Sequence, residues 1–406
     1  MTSAFTVTVV SEQAASVPEG AGAGLTSVLS EALERAALTA ATGLSGQLWI
    51  SDRWQAEILI NGERKAEEAP FNLGHHLLAR LAEFAASQSG GTLSDPVLRT
   101  FEDLATPSPA ALLHYLAGRA AGGDARMRFW RRGFELDPAL AALRTALARE
   151  LLTTGNPGSA AALLQGIAVQ DGFAAADIGI ALWAAGEAQV SFDLLQAAVK
   201  SNPENGLAGA ALATLLVRRA QAAGTAKGEE GHNAWDEALL LATQSTQQAS
   251  DDFRTWTALA EVHRAGGDFD QAAFFYGFAL RLEPDAPTVL KDASACWLQA
   301  RQPAQALPLI ERARAAAPAD AENAGNLAFA HLLLGDQPAA LAAAREAATL
   351  GPDNPRLHIL HGELALKAGQ RDEALDAWAR AAVLEPGIFI NPEGGNLGLE
   401  SPPEAQ

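Results

Sequence analysis

Pro284, Pro318, Pro352 and Pro386 stand 34 residues apart, and Ala272, Ala306, Ala340 and Ala374 keep the same interval. Two landmarks holding one spacing over four successive units mark a repeat array, and this period is that of a helix–turn–helix unit. A single unit of that kind cannot bury its apolar face alone; each covers the next, and the core grows along the stack. The chain is therefore expected to be a mainly helical scaffold. Its chemistry is to be sought on the surface of the stack or in the part that does not repeat.

The units are cleanest toward the C-terminal end. Phe253 to Pro284 places Trp256, Leu259, Ala260 and His263 on one face of a first helix. Gly266-Gly267-Asp268 follows as a turn, and a second helix carries Ala272, Tyr276 and Ala279. The next three units repeat the pattern with Leu290, Ala293, Ser294 and Trp297, then Ala324, Leu327, Ala328 and His331, then His358, His361, Gly362 and Ala365. Large residues one turn apart, with small residues where helices approach, make a buried helix stripe. Each unit closes on a proline, which cannot donate the next helical hydrogen bond.

These residues resemble the tetratricopeptide repeat family, whose motif sets a bulky residue, leucine, a small residue and an aromatic in the first helix, then alanine, an aromatic, alanine and proline. The resemblance is strong over 253–386 and weakens upstream, where Leu136-Asp137-Pro138 and Asn202-Pro203 end earlier units and Gly155 and Gly186 mark turns. His263 and His331 stand where the motif has an aromatic. The resemblance implies a right-handed α-solenoid of about eight helical pairs over 108–386. Residues 224–233 (GTAKGEEGHN) read as a flexible insertion loop in the unit between Pro203 and Phe253.

The first 90 residues read as a small α/β domain. Phe5 to Val10, Gln47 to Ile50 and Gln55 to Ile60 are strand-like, and Asn61-Gly62 favours a tight turn. Leu25 to Leu38 and Leu73 to Ala85 have helical spacing. Residues 91–107 read as a linker. Gly24-Leu25-Thr26 with Leu29 and Leu33 weakly resembles the helix start of TolB-like N-terminal domains, which bacterial chains join to tetratricopeptide repeats.

Formal net charge is −19 over 406 residues. That balance argues against binding nucleic acid or an anionic membrane through the whole surface, since both need clustered Lys and Arg. Cys296 is the single cysteine, so the chain holds no intramolecular disulfide and no thiolate cluster. No apolar run approaches membrane-spanning length and no targeting segment is legible, so a cytoplasmic protein is expected.

Several residues suggest chemistry, and each has a plainer reading. The glycines of 20–24 precede a helix, as phosphate-binding loops do, but lack the dinucleotide spacing and read as a loop ending at a helix start. His75 and His76 are adjacent, and adjacent helix positions do not face one another. His358 and His361 are one turn apart but fill packed positions of a repeat, and no further ligand completes a metal site. Cys296 lacks a visible base and reads as a small buried residue. No catalytic motif, metal site or cofactor is expected.

The stronger signal is the groove that the family resemblance implies along the first helices. There the sequence offers Arg254, Arg264, Lys291, Arg356 and Lys367 as cations against Glu261, Glu322 and Glu363, with Asn326 as a hydrogen-bonding group and Phe329, Leu332 and Leu333 as an apolar patch. Lys291, Asn326 and Arg356 also occupy three positions of the carboxylate clamp found in chaperone-adaptor members of the family, while Ala295 and Leu360 fill the other two. The expected function is a non-enzymatic scaffold that binds a protein or peptide segment, acidic in character, in this groove. The alternative is a nucleotide-sensing or enzymatic N-terminal domain with the repeats as a docking arm. The tail from Gly387 carries Phe389, Ile390, Leu397 and Leu399 and no basic residue, and suits a cap on the last repeat or an internal groove ligand.

Overall fold

The structure is a computed structural model, and it describes residues 6–11, 21–35, 45–50, 54–60, 63–69, 74–88, 91–93, 95–167, 169–223 and 229–387. The calls on Asn61-Gly62 and on the tail beyond Gly387 lie outside those residues. The chain divides into two compact units, 1–249 and 250–406.

The first unit begins with strand β1 (Thr6–Ser11), helix α1 (Ala21–Arg35), strands β2 (Ser45–Ile50), β3 (Trp54–Ile60) and β4 (Glu63–Ala69), and helix α2 (Gly74–Gln88). The strands form a sheet in the order β1-β2-β3-β4; β1 pairs with β2 in parallel, Val9 opposite Leu48, and the other pairings are antiparallel. Strand β4 is absent from the sequence reading. Its segment, ERKAEEA, has none of the apolar alternation that marks a half-buried strand, and pairing with β3 decides its conformation. Residues 95–104, within the stretch read as a linker, form helix α3 (Asp95–Arg99) and a 3-10 turn (Thr100–Leu104) that buries Phe101 and Leu104.

Four helical pairs complete this unit: α4 (Pro109–Ala120) with α5 (Gly123–Leu136), α6 (Ala141–Thr153) with α7 (Pro157–Leu164), α8 (Gly172–Ala184) with α9 (Ala188–Ser201), and α10 (Gly206–Ala222) with α11 (Glu229–Gln248). Ser108 caps α4 by accepting the Ala111 N–H, and Pro109 supplies the preset φ at the first position. Leu25 and Leu29 of α1, Leu77 and Leu81 of α2, and Leu112, Leu116 and Leu143 of the repeats share one core. The extra residues of the fourth pair lengthen helices: α10 and α11 have 17 and 20 residues, and 229–233, read as loop, are helical, while 224–228 lie outside the described residues.

The second unit holds four more pairs: α12 (Phe253–Ala265) with α13 (Phe269–Leu282), α14 (Pro287–Gln299) with α15 (Pro303–Ala316), α16 (Ala321–Leu333) with α17 (Gln337–Leu350), and α18 (Pro355–Lys367) with α19 (Arg371–Leu384). These are the four helical pairs that the 34-residue beat predicts, and with those of the first unit the described residues hold eight. The turn inside each pair needs a left-handed residue. Gly267, Gly335 and Gly369 supply it with φ of 83°, 82° and 78°, and Arg301 holds the equivalent place at 58°. Close approach within pairs is bought by glycine facing tryptophan: a Cβ on Gly118 would overlap Trp130, and one on Gly362 would overlap Trp378. No described helix is long and apolar enough to cross a membrane.

Candidate functional site

The groove residues of the sequence reading fall in the second unit, on α12, α14, α16 and α18. First helices neighbour one another there, α14 against α16 and α16 against α18. Their starts are fixed by acidic or amide caps. Asp252 accepts the Arg254 N–H, Asp320 accepts those of Glu322 and Asn323, and Asn354 accepts that of Arg356.

The caps also change the electrostatics. The Arg254 guanidinium donates to both carboxylate oxygens of Asp252, Nε at 2.9 Å from Oδ1 and Nη2 at 2.7 Å from Oδ2. Lys291 Nζ sits 3.2 Å from Asp320 Oδ2 and 2.7 Å from Glu322 Oε2, tying α14 to α16. Burial pulls the Lys291 pKa down, but those two carboxylates outweigh it and hold it above the ordinary lysine value. The sequence-level count of cations over acids on this face is thereby corrected, because it left out Asp252, Asp320 and Asp292. A cap acid is invisible as a groove charge until the helix start is placed.

Arg264 lies in the last turn of α12 with its Nε buried and without a hydrogen-bond partner. Burial works to lower its pKa, while Tyr276, Glu261 and Asp292 raise it, and the net effect is upward. Asn326 Nδ2 reaches Ser294 Oγ only at 3.5 Å. Phe329 and Leu332 of α16 are half-buried, as is Leu333: Phe329 and Leu333 pack on Leu298 and Ile310, and Leu332 on the cluster of Leu341 and Leu360. Leu360, one of the two unmatched clamp positions, is therefore core. At α18, Arg356 and Lys367 are exposed. Glu363 Oε2 is buried with no hydrogen-bond partner, and burial raises its pKa against the opposing charge of Lys367. The face thus joins a half-exposed apolar strip to locally balanced charge.

The remaining candidates resolve individually. Gly22 and Gly24 are inside α1, not in a loop before it, and Gly24 packs against α4. The His75 and His76 rings lie 4.1 Å apart centre to centre, although adjacent positions leave the helix in different directions; His75 is buried and His76 exposed. His358 Nε2 lies 2.8 Å from the Pro352 carbonyl oxygen, and His361 Nε2 lies 2.7 Å from Glu373 Oε1. His263, in an aromatic position of the motif, has its ring 5.1 Å from that of Phe275. Cys296 is buried, and burial pushes its thiol up to about 12. That environment does not make a nucleophile.

In the first unit a cavity of about 60 Å³ is bordered by Glu31, Asp103, Tyr115, Arg119, Thr145 and Asp171. Arg119 Nη2 donates to Glu31 Oε2 at 2.6 Å and to Ser27 Oγ at 3.1 Å, joining α4 to α1. Asp103 accepts the backbone N–H groups of Gln170 and Asp171, each at 2.9 Å, and so holds the segment leading into α8. The sequence reading missed both links, whose partners are 88, 67 and 68 residues apart in the chain.

No family model matches the sequence, and no curated protein matches it. Among solved structures, "MamA 41-end" of Desulfovibrio magneticus RS-1 is 22% identical, with 44% of this chain and 95% of that one covered and a TM-score of 0.37. YrrB, described as "a TPR protein with an unusual peptide-binding site", is 18% identical, with 47% and 92% covered and a TM-score of 0.37. The pilF protein of Pseudomonas aeruginosa is 19% identical, with 53% and 92% covered and a TM-score of 0.43.

Proposed function

We propose that this chain is a non-enzymatic interaction scaffold that binds a protein or peptide segment along the first-helix face of α12, α14, α16 and α18. The observation that carries this reading is the apolar strip of Phe329, Leu332 and Leu333, half-exposed between ion-paired Lys291 on one side and exposed Arg356 and Lys367 on the other. Apolar surface with a few fixed polar groups is what a peptide groove requires. In this proposal Phe329 and Leu332 take an apolar side chain, and Arg356 and Lys367 attract acidic groups of the segment. Arg254 and Lys291, held by cap carboxylates, shape the wall. Arg264 offers its buried N–H and Asn326 its amide to the ligand backbone. We place the protein in the cytoplasm, where a reducing environment suits its single buried thiol.

The test is a capture experiment with full-length baits: wild type, Phe329→Ala/Leu332→Ala, and Arg356→Glu/Lys367→Glu. Folding of each variant is checked by circular dichroism and melting. A protein held by the wild type and lost, after identification, by both folded variants supports the groove. A protein held equally by all three sinks it.

A further inference from the structure

A second surface lies on the other side of the last repeats. Between α17, α18 and α19 is a hollow of about 840 Å³, bordered by Arg345, Ala348, Pro352, His358, Arg380 and Val383. The repeat arithmetic explains why it is open. One unit earlier the equivalent cleft is bridged by an ion pair, Arg314 Nη2 to Glu346 Oε1 at 2.6 Å. Moving both positions by 34 residues gives Ala348 and Arg380. The first has lost its cation and the second has reversed its charge, so no bridge forms. Ala324, likewise moved, becomes His358.

Three features of the hollow point to a ligand. Arg380 is exposed, and no hydrogen bond or ion pair engages it among the described residues. Arg345, by contrast, is occupied by Glu373, at 2.6 and 2.7 Å. His358 is 2% exposed. Its Nε2 lies 2.8 Å from the Pro352 carbonyl oxygen, and its buried Nδ1 is out of reach of a ligand in the hollow. Val383, 80% exposed, and Leu384 supply apolar wall. The volume is in the range of ligand pockets.

We propose that this hollow docks a segment of a partner protein in which a glutamate or aspartate stands beside a large apolar side chain. The carboxylate pairs with Arg380, and the apolar side chain lies on Val383 and Leu384. Charge complementarity selects this occupant: Arg380, the unpaired charged side chain of the hollow among the described residues, is cationic. The site is separate from the first-helix face, so the two stand or fall independently.

The probe is an acetylated, amidated decapeptide alternating glutamate with leucine and phenylalanine, and its glutamine counterpart, titrated into the full chain by fluorescence anisotropy. The glutamate peptide is expected to bind at least tenfold tighter than the glutamine peptide. Arg380→Glu is expected to weaken it at least tenfold. Ala348→Arg/Arg380→Glu, which rebuilds the bridge of the preceding repeat, is expected to abolish binding with the melting temperature kept or raised. Arg356→Glu/Lys367→Glu is expected to change nothing. No binding of the glutamate peptide, equal binding of both peptides, or loss with the Arg356/Lys367 variant alone would overturn the proposal. Light scattering that rises with protein concentration in the wild type and not in Arg380→Glu would assign the hollow to a second copy and overturn it as well.

Discussion

Gly24 of α1 lies against Leu116 of α4 so closely that a Cβ at position 24 would overlap the Leu116 carbonyl group. The contact is with backbone, which cannot rotate away as a side chain can. Gly24→Ala is expected to push the two helices apart and cost about 1–3 kcal/mol, the usual range for overpacking. Urea melts of the full chain, followed by circular dichroism, would read this as an earlier first transition. An unchanged profile would mean that α1 and α4 part without penalty.

Leu341 and Leu375 hold equivalent places in successive second helices, yet Leu341 is 4% exposed and Leu375 61%. Leu341 packs against Leu360 and Leu364 of the next first helix, whereas α19 is the last described helix. Leu341→Ala is expected to cost about 2–4 kcal/mol, and Leu375→Ala less than about 0.5 kcal/mol. Matched melts of the two variants check the difference.

Arg301 occupies with φ 58° the turn position that glycine fills in the neighbouring pairs. A side chain in this region costs on the order of 1 kcal/mol. Arg301→Gly is expected to stabilise the second unit by no more than about 0.5 kcal/mol, after the added chain entropy of glycine is set against the relief. A lower denaturation midpoint would show that the Arg301 side chain contributes more than its backbone costs.

Asp320 both caps α16 and pairs with Lys291. Asp320→Ala is expected to cost about 1–2 kcal/mol, since the cap and the tie to α14 go together. Lys291→Met is expected to cost no more than about 1 kcal/mol, because Asp320 keeps its cap and the pair is partly solvated. Equal losses would show that the ion pair, not the cap, dominates.

Burial lifts the Asp103 pKa from an ordinary 3.8 to about 7, against the opposing N–H bonds from Gln170 and Asp171 and with help from the charges of Asp171 and Glu102. The folded state therefore binds a proton that the unfolded chain releases. This contribution to stability is complete below about pH 4 and is lost as pH rises through about 7, by at most about 4 kcal/mol in total. Asp103→Asn is expected to flatten that part of the pH profile. A wild-type profile already flat between pH 4 and 7 would contradict the assignment.

The repeat beat made the four pairs of 253–386 legible because close packing puts the same demand on each unit: small residues where helices touch, a left-handed residue at the turn, a helix stop after it. Strand β4 was not legible, because an edge segment such as ERKAEEA takes its conformation from pairing with β3 and not from its own pattern. The charge of the first-helix face was misjudged for a similar reason. Lys291 meets Asp320 across a helix boundary 29 residues on, and no local spacing announces that pair.

The sequence by itself determined the periodic architecture of 253–386 and the turns within it, since both follow from short-range steric rules repeated every 34 residues. The tertiary structure alone decided which charges are neutralised, which equivalent leucine is covered, and that one cleft between second helices is bridged by Arg314 and Glu346 while the next stays open at Ala348 and Arg380. Those outcomes depend on which side chains from successive units meet in space. Identical positions in a repeat then acquire different surroundings.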